Sequence, residues 1–262
     1  MRVIGVDGCR GGWVCVALSS AGNAAPEWWV SAGFGDIVAR ATADDRVLVD
    51  IPIGLLDGGP DPREPDALAR RMLGGKRASS VFSAPVRPVL GAPDYPAANE
   101  LSRALTGKGL SKQSWMIAPK IREVDDLLRA RPGWIGRVRE VHPELCFHAF
   151  AGGRSMRHNK KTEEGFRERF ELLVERYPEH RFVFLFDRPY DEQFVFAENV
   201  EPMVVFPQAR HPLLWYWWFE WSLPRVLKNS GADLFFSPDG YCSLRSGTPT
   251  VMVTHDIAHV HY

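Results

Sequence analysis

The chain has 262 residues, 45% of them hydrophobic, which is enough for one large α/β domain or two smaller ones with a sizeable core. Lysine plus arginine and aspartate plus glutamate number 32 each, so no overall basic field advertises a long nucleic-acid surface, and any such site is a local patch. Cys9, Cys15, Cys146 and Cys242 lie far apart without CxxC spacing, which points away from a zinc knuckle or a disulfide framework and towards reduced thiols. The chain opens directly in a strand-like run, and no run approaches the roughly 18 to 20 apolar residues of a membrane span, so a cytoplasmic protein with no membrane partner is expected.

In chain order, RVIGVD (2–7) and GWVCVAL (12–18) predict two strands joined by a tight glycine turn, and PEWWVS (26–31) a third, making an antiparallel meander. FGDIVARAT predicts a helix. RVLVDIP (46–52), a short apolar run closed by Asp50 and Pro52, has the pattern of a buried parallel strand. A helix follows on REPDALARRML, with Pro65 in its first turn, where a missing N–H does no harm. Two more helical stretches run from about Tyr95 to Leu105 and from Ser111 to Leu128, and GRVREVHPEL (136–145) reads as a strand turning into a helix at Pro143. Three antiparallel strands, a helix, a parallel strand, helices and another strand make the order expected of a ribonuclease H-like α/β layer fold with a mixed sheet and flanking helices.

From about Thr162 a helix, EEGFRERFELLVERY, leads into a strongly aromatic region. There RFVFLFD, PMVVF, the helix LLWYWWFEWSLPRVLKNSG, ADLFFS and TPTVMVTHD predict a partial parallel, Rossmann-like α/β layer. The shift in composition predicts a boundary near 170–178, and hence domains of 1–174 and 175–262. No internal repeat is visible.

Asp7, Asp50 and Glu140 each end an apolar run. Acids at the carboxyl ends of neighbouring strands converge in space although far apart in sequence, and a set of oxygen ligands suits Mg2+ or Mn2+, ions that activate a water and stabilise the leaving oxygen of a phosphodiester. Each acid also has a plain structural role available: an Asp-Gly turn at Asp7, a loop before Pro52 at Asp50, and a solvated strand end at Glu140. Arg77 and Arg87 flank ASSVFSAP, while Lys120, Glu123 and Asp125 share one helix; cations here suit a substrate phosphate or surface ion pairs. His142 is either an extra ligand or base, or a structural histidine before Pro143. GKGLSKQ lacks the GxxxxGK[ST] spacing of a phosphate loop.

The blocks GVDGCRGGWV, VDIPIGL, GKRASSVFSAPVR, GKGLSKQ with KIREVD, EVHPELCF and NKKTEEG together resemble the predicted RNase H-like nuclease family, a domain-of-unknown-function group, over about residues 1–170. The resemblance implies an RNase H-like fold, Asp7, Asp50 and Glu140 as catalytic metal carboxylates, and Arg10 or Arg77 near the scissile phosphate. The late acidic segment of that family is not matched after residue 175. Instead the stretch from about 175 to 262 resembles part of the N-terminal domain of GT-B glycosyltransferases, which implies a cleft near Asp239, His255 and Asp256; the donor-binding domain of that fold is not matched. The expected function is metal-dependent phosphodiester hydrolysis with Mg2+ or Mn2+, or an inactive nuclease if the late acidic segment is indispensable. The alternatives are a glycosyltransferase fragment using a nucleotide-sugar donor and a non-catalytic interaction module. Expected partners are nucleic acid, through a local basic patch of Arg10, Arg77, Arg87 and Lys120, and a second copy of the chain, through the aromatic C-terminal segment.

Overall fold

The computed structural model describes residues 1–9, 11–19, 26–160, 162–237 and 241–252. The chain divides into two compact units, Met1–Met156 and Arg157–Tyr262.

The first unit is a five-stranded mixed sheet flanked by helices. Burial alternates along β1 (Arg2–Cys9) and β2 (Gly12–Ser19): Ile4, Val6, Trp13, Cys15 and Ala17 are buried, whereas Gly5, Asp7, Val14 and Val16 are exposed. That period of two marks strands with one face against a core. The turn between them is closed by the Cys9–Gly12 pair. Gly12 has φ +152, and a Cβ there would lie 1.9 Å from the Ser31 carbonyl oxygen, so only glycine lets β3 (Glu27–Ser31) close against β2. β4 (Arg46–Val49) and β5 (Val138–Glu140) complete the order β3-β2-β1-β4-β5. β2 runs antiparallel to β1 and β3, while β4 is parallel to both β1 and β5.

Five helices belong to this unit: α1 (Phe34–Arg40), α2 (Glu64–Leu73), α3 (Tyr95–Thr106), α4 (Lys112–Ala130) and α5 (Pro143–Phe150). Phe34, Ile37 and Val38 of α1 and Ala118, Ile121, Val124 and Leu128 of α4 pack with Ile4, Val6, Trp13, Val47, Val49 and Val138 in one core. The three-and-four spacing on α4 is what turns a single stripe towards the sheet. Each such side chain contributes about 1.5–3 kcal/mol when fully buried. Side-chain caps fix where the helices start: Asp94 accepts from Ala97 N–H at α3, and Ser111 from Ser114 N–H at α4.

Arg2 ties three parts of the sheet edge together. It donates to the buried Asp45 from its backbone N–H (2.9 Å) and its guanidinium (2.8 and 3.2 Å), and to Glu27 on β3 (3.1 Å). The hydrogen bond from Arg2, opposed by burial and helped by Thr42 N–H, holds the Asp45 carboxyl well below the ordinary carboxylate range. Because the folded pKa lies below the unfolded one, the stabilisation is complete above about pH 4 and drains away as pH falls further. Melting curves collected from about pH 5 downwards should therefore show a steep loss of Tm below about pH 4 that is shallower in an Asp45→Asn variant. Parallel profiles would show that Asp45 makes no such contribution.

The second unit starts with α6 (Glu163–Arg176), capped by Thr162, whose hydroxyl accepts from Gly165 N–H. β6 (Phe182–Phe186) and β7 (Val200–Val204) pair in parallel, as do β8 (Phe235–Ser237) and β9 (Thr250–Met252). Among the described residues these are two separate two-stranded sheets rather than the single layer expected. The aromatic helix runs as α7 (Pro212–Trp217), a π-turn over Trp218–Ser222, and α8 (Leu223–Ser230). Trp218, Phe219, Leu223 and Leu227 from this helix bury a core with Val205, and the Trp218 indole N–H donates to the Val205 carbonyl (2.8 Å). The helix expected to close a first domain of 1–174 is thus the first element of the second unit.

Candidate functional site

Val6 of β1 pairs with Val49, the last residue of β4, and each is followed by an acid, Asp7 on β1 and Asp50 in the bend just after β4. Parallel neighbours lie about 4.7–4.9 Å apart. Val6 and Val49 are buried in the core, the pleat of β1 carries Asp7 to the other face, and Asp7 and Asp50 are both exposed. Asp7 is oriented by its own turn: one carboxylate oxygen accepts from Gly8 N–H at 2.7 Å. Asp50 lies close enough to α5 that its charge, after burial, is the second cause raising the Cys146 thiol pKa. Two exposed carboxylates therefore follow a paired position at the carboxyl ends of two parallel strands.

Glu140 lies on the strand beside β4. It is in register with Val49, on the row of the core, and its carboxylate is already engaged. Arg63, 4% exposed, sends both terminal nitrogens to it at 3.0 Å each, and Ile53 N–H donates to it at 2.9 Å. The same guanidinium pairs with Asp66, itself buried, through Nη2 and through Nε at 3.3 Å. Burial works against the Arg63 cation, but the hydrogen bonds and charges of Glu140 and Asp66 outweigh it and raise its pKa. This triad joins the loop after β4, the start of α2 and the end of β5, and it borders a cleft of about 390 Å³ lined by Ile53, Asp66, Val81, Arg139, Glu140 and His142 among others. His142 has Nε2 at 3.2 Å from the Ser80 carbonyl, so that nitrogen carries the proton; Nδ1 is buried and accepts no hydrogen bond among the described residues. Among the described residues no group of three or more His, Cys, Asp or Glu side chains is placed to hold one metal ion.

The cations expected to face substrate are distributed differently. Arg87 donates to Asp125 (2.9 Å), to Asp57 and to the Leu55 carbonyl (2.8 Å), and the bond to Asp125 chiefly raises its pKa. It binds the loop after β4 to α4. Lys120 donates to the Gly12 carbonyl (2.5 Å) and sits 4.3 Å from the centre of the Trp13 ring, so it locks the β1–β2 turn to α4. Glu123 does the same from the next turn, accepting from the Trp13 indole N–H (2.9 Å) and from Phe34 N–H. Arg77 is half-buried in a 3-10 turn, Gly75–Ser80. Arg10, Asp239, His255 and Asp256 lie outside the described residues. Arg63 and Asp66 went unnoticed in the sequence, where their only signal is an Arg-x-x-Asp spacing at the start of α2.

A five-stranded mixed sheet flanked by helices defines the N-terminal unit. The chain belongs to the protein family of unknown function DUF429, whose model matches residues 5–200. The match takes in the sheet from residue 5 of β1 onward and continues through α6 and β6, across the junction expected at 174 and into the second compact unit. No curated protein and no solved structure matches the chain. Among the described residues no helix is long and apolar enough to cross a membrane.

Proposed function

We propose that the N-terminal unit is an RNase H-like, divalent-metal-dependent phosphodiesterase in which Asp7 and Asp50 hold one Mg2+ or Mn2+ against a phosphate of nucleic acid. The observation that supports this reading is the parallel register of β1 on β4, Val6 opposite Val49, each of them followed by an exposed aspartate. The strand order β3-β2-β1-β4-β5, with β2 alone running against the rest, supports it as the sheet of an RNase H-like fold.

The donor set fits such an ion. Mg2+ keeps several waters and is usually held by one or two carboxylates together with substrate phosphate oxygens, so a third protein acid is not required. When bound, the cation activates a water and stabilises the leaving oxygen. The protein's own part is to aim the ligands: Gly8 N–H fixes one Asp7 oxygen and leaves the other for the ion, and the β-ladder fixes the spacing of the two strands. Glu140 serves as the anchor of Arg63 and is assigned no part in holding the ion.

The test uses the full chain. An ion that binds only the folded state adds about 2.7 kcal/mol at roughly 100 times its Kd. Mn2+ is therefore expected to raise Tm and to switch on cleavage of labelled DNA or RNA oligonucleotides that EDTA abolishes. The absence of both a Tm shift and cleavage at millimolar-order Mn2+ would sink the reading, because a site weaker than that adds almost nothing by mass action.

A further inference from the structure

The second unit holds a cavity of about 610 Å³ between α8 and the loop Arg245–Thr248, with Arg225, Lys228, Arg245, Ser246, Gly247 and Thr248 in its wall. No acid is among the described residues that line it. Arg225 and Lys228 stand three apart on α8 and so share one face of the helix, where like charges repel. Among the described residues none of the three cations forms a salt bridge. Arg225, Lys228 and Arg245 are exposed, and three positive charges around one hollow with no acid in its described lining make a local positive potential that favours an anion.

The opposite wall is held in shape. Glu220, buried in the π-turn, accepts from the Tyr241 hydroxyl (3.0 Å) and from Leu244 N–H (3.2 Å), which pins the start of the loop. Ser243 Oγ then accepts from Arg245 N–H, and Ser246 Oγ from Thr248 N–H, at 3.1 Å each. The Arg245 guanidinium lies 4.2 Å from the centre of the Trp221 ring, a cation–π contact that orders it. Ser246 uses an oxygen lone pair in the loop, so its hydroxyl proton remains for a ligand. At the end of α8 the carbonyls of Leu227 and Lys228, which would repel an anion, accept from Ala232 N–H and Gly231 N–H.

We propose that this cavity binds a phosphate-bearing small molecule of mononucleotide size, its anionic group held among Arg225, Lys228 and Arg245 and its remainder filling the space towards Asn229 and Ala232. The volume lies within the range of about 300–1,000 Å³ typical of small-molecule sites. Guanidinium and ammonium groups suit phosphate oxygens in particular, the arginines through paired N–H donors and the lysine as a point charge. This proposal is independent of the Asp7–Asp50 reading.

Calorimetric titration of the full chain in EDTA, with AMP, inorganic phosphate, adenosine and an oligonucleotide lacking terminal phosphate, separates the outcomes. AMP is expected to bind and adenosine to give no heat. The double variant Arg225→Gln/Lys228→Gln is expected to melt like the parent and to bind AMP roughly tenfold more weakly or worse, since a charge-assisted hydrogen bond is worth about that much. Equal affinity in a folded double variant, equal binding of adenosine, or no binding of AMP would overturn the proposal. Tighter binding of the oligonucleotide than of AMP would overturn it in favour of an extended nucleic-acid surface. Should the double variant melt lower, Arg245→Gln supplies the same comparison from the other wall.

Discussion

Arg63→Ala is expected to lower the unfolding free energy of the N-terminal unit by about 3–5 kcal/mol, the usual cost of removing one partner from a buried ion pair. The guanidinium is 4% exposed and meets Asp66, at a similar depth, together with Glu140 and the Ile53 carbonyl. Without it Asp66 is left as a buried carboxylate with the long Ala84 N–H bond (3.4 Å) among its remaining partners. Desolvation of an unpaired charge, rather than the loss of the contact itself, supplies most of the penalty. Glu140→Gln should cost less, because Asp66 still neutralises Arg63 and an amide oxygen can still accept from Ile53 N–H. Urea titration gives both values. A loss below about 1 kcal/mol for Arg63→Ala, the worth of a surface pair, would mean that the triad is effectively solvated.

That triad also marks where sequence reasoning stops. The strands of the first sheet are legible because burial imposes a period of two on β1 and β2 and an unbroken apolar run on β4. Helices α1 and α4 are legible through their apolar stripe. Each acid could be located at a strand end from such local patterns. Whether acids at different strand ends meet depends on register, and a partner 77 residues away leaves no local trace: Arg63 claims Glu140 through a loop that has no periodicity of its own. The same limit applies to Arg87 and Lys120. Their helical spacing and position beside a loop suggest a basic patch, but what lies opposite them is Asp125 and the Gly12 carbonyl.

The boundary between the units shows a second kind of limit. Composition turns aromatic after residue 180, which suggests a break between α6 and β6. Yet α6 carries Phe166 and Phe170 four residues apart, and these rings stack with each other at 5.6 Å. Phe170 meets Phe182 and Phe184 of β6, and both α6 rings approach Phe236 of β8. Two phenylalanines in a helix whose other large apolar residues are Leu172, Leu173 and Val174 are a faint compositional signal, but their rings meet those of β6 and β8. Packing, not average composition, fixes the unit to which the helix belongs.

Asp7→Asn and Asp50→Asn are each expected to reduce Mn2+-dependent cleavage by at least about a hundredfold, since even residues behind the ligands of a metal site commonly cost 10- to 100-fold. The amide keeps the shape and can still accept from Gly8 N–H, so the turn at Asp7 survives. It withdraws the charge that holds the ion. Two exposed carboxylates on neighbouring strands also repel each other when no cation lies between them, so either variant should be as stable as the parent in EDTA or more stable by about 0.5 kcal/mol, a small gain because water screens the pair. In Mn2+ the order reverses: the parent gains stability from the ion and the variants do not. This crossing of the melting temperatures separates a metal site from a merely structural aspartate, whose replacement would lower Tm equally with and without Mn2+. Glu140→Gln supplies the internal control. Its cleavage rate, measured at a temperature where it is fully folded, should stay within roughly tenfold of the parent, because a carboxylate already paired with Arg63 is a weaker ligand for the cation. If Glu140→Gln abolished cleavage while Asp7→Asn did not, the chemistry would belong to the Arg63–Glu140 cleft and its neighbour His142 rather than to the paired strand ends.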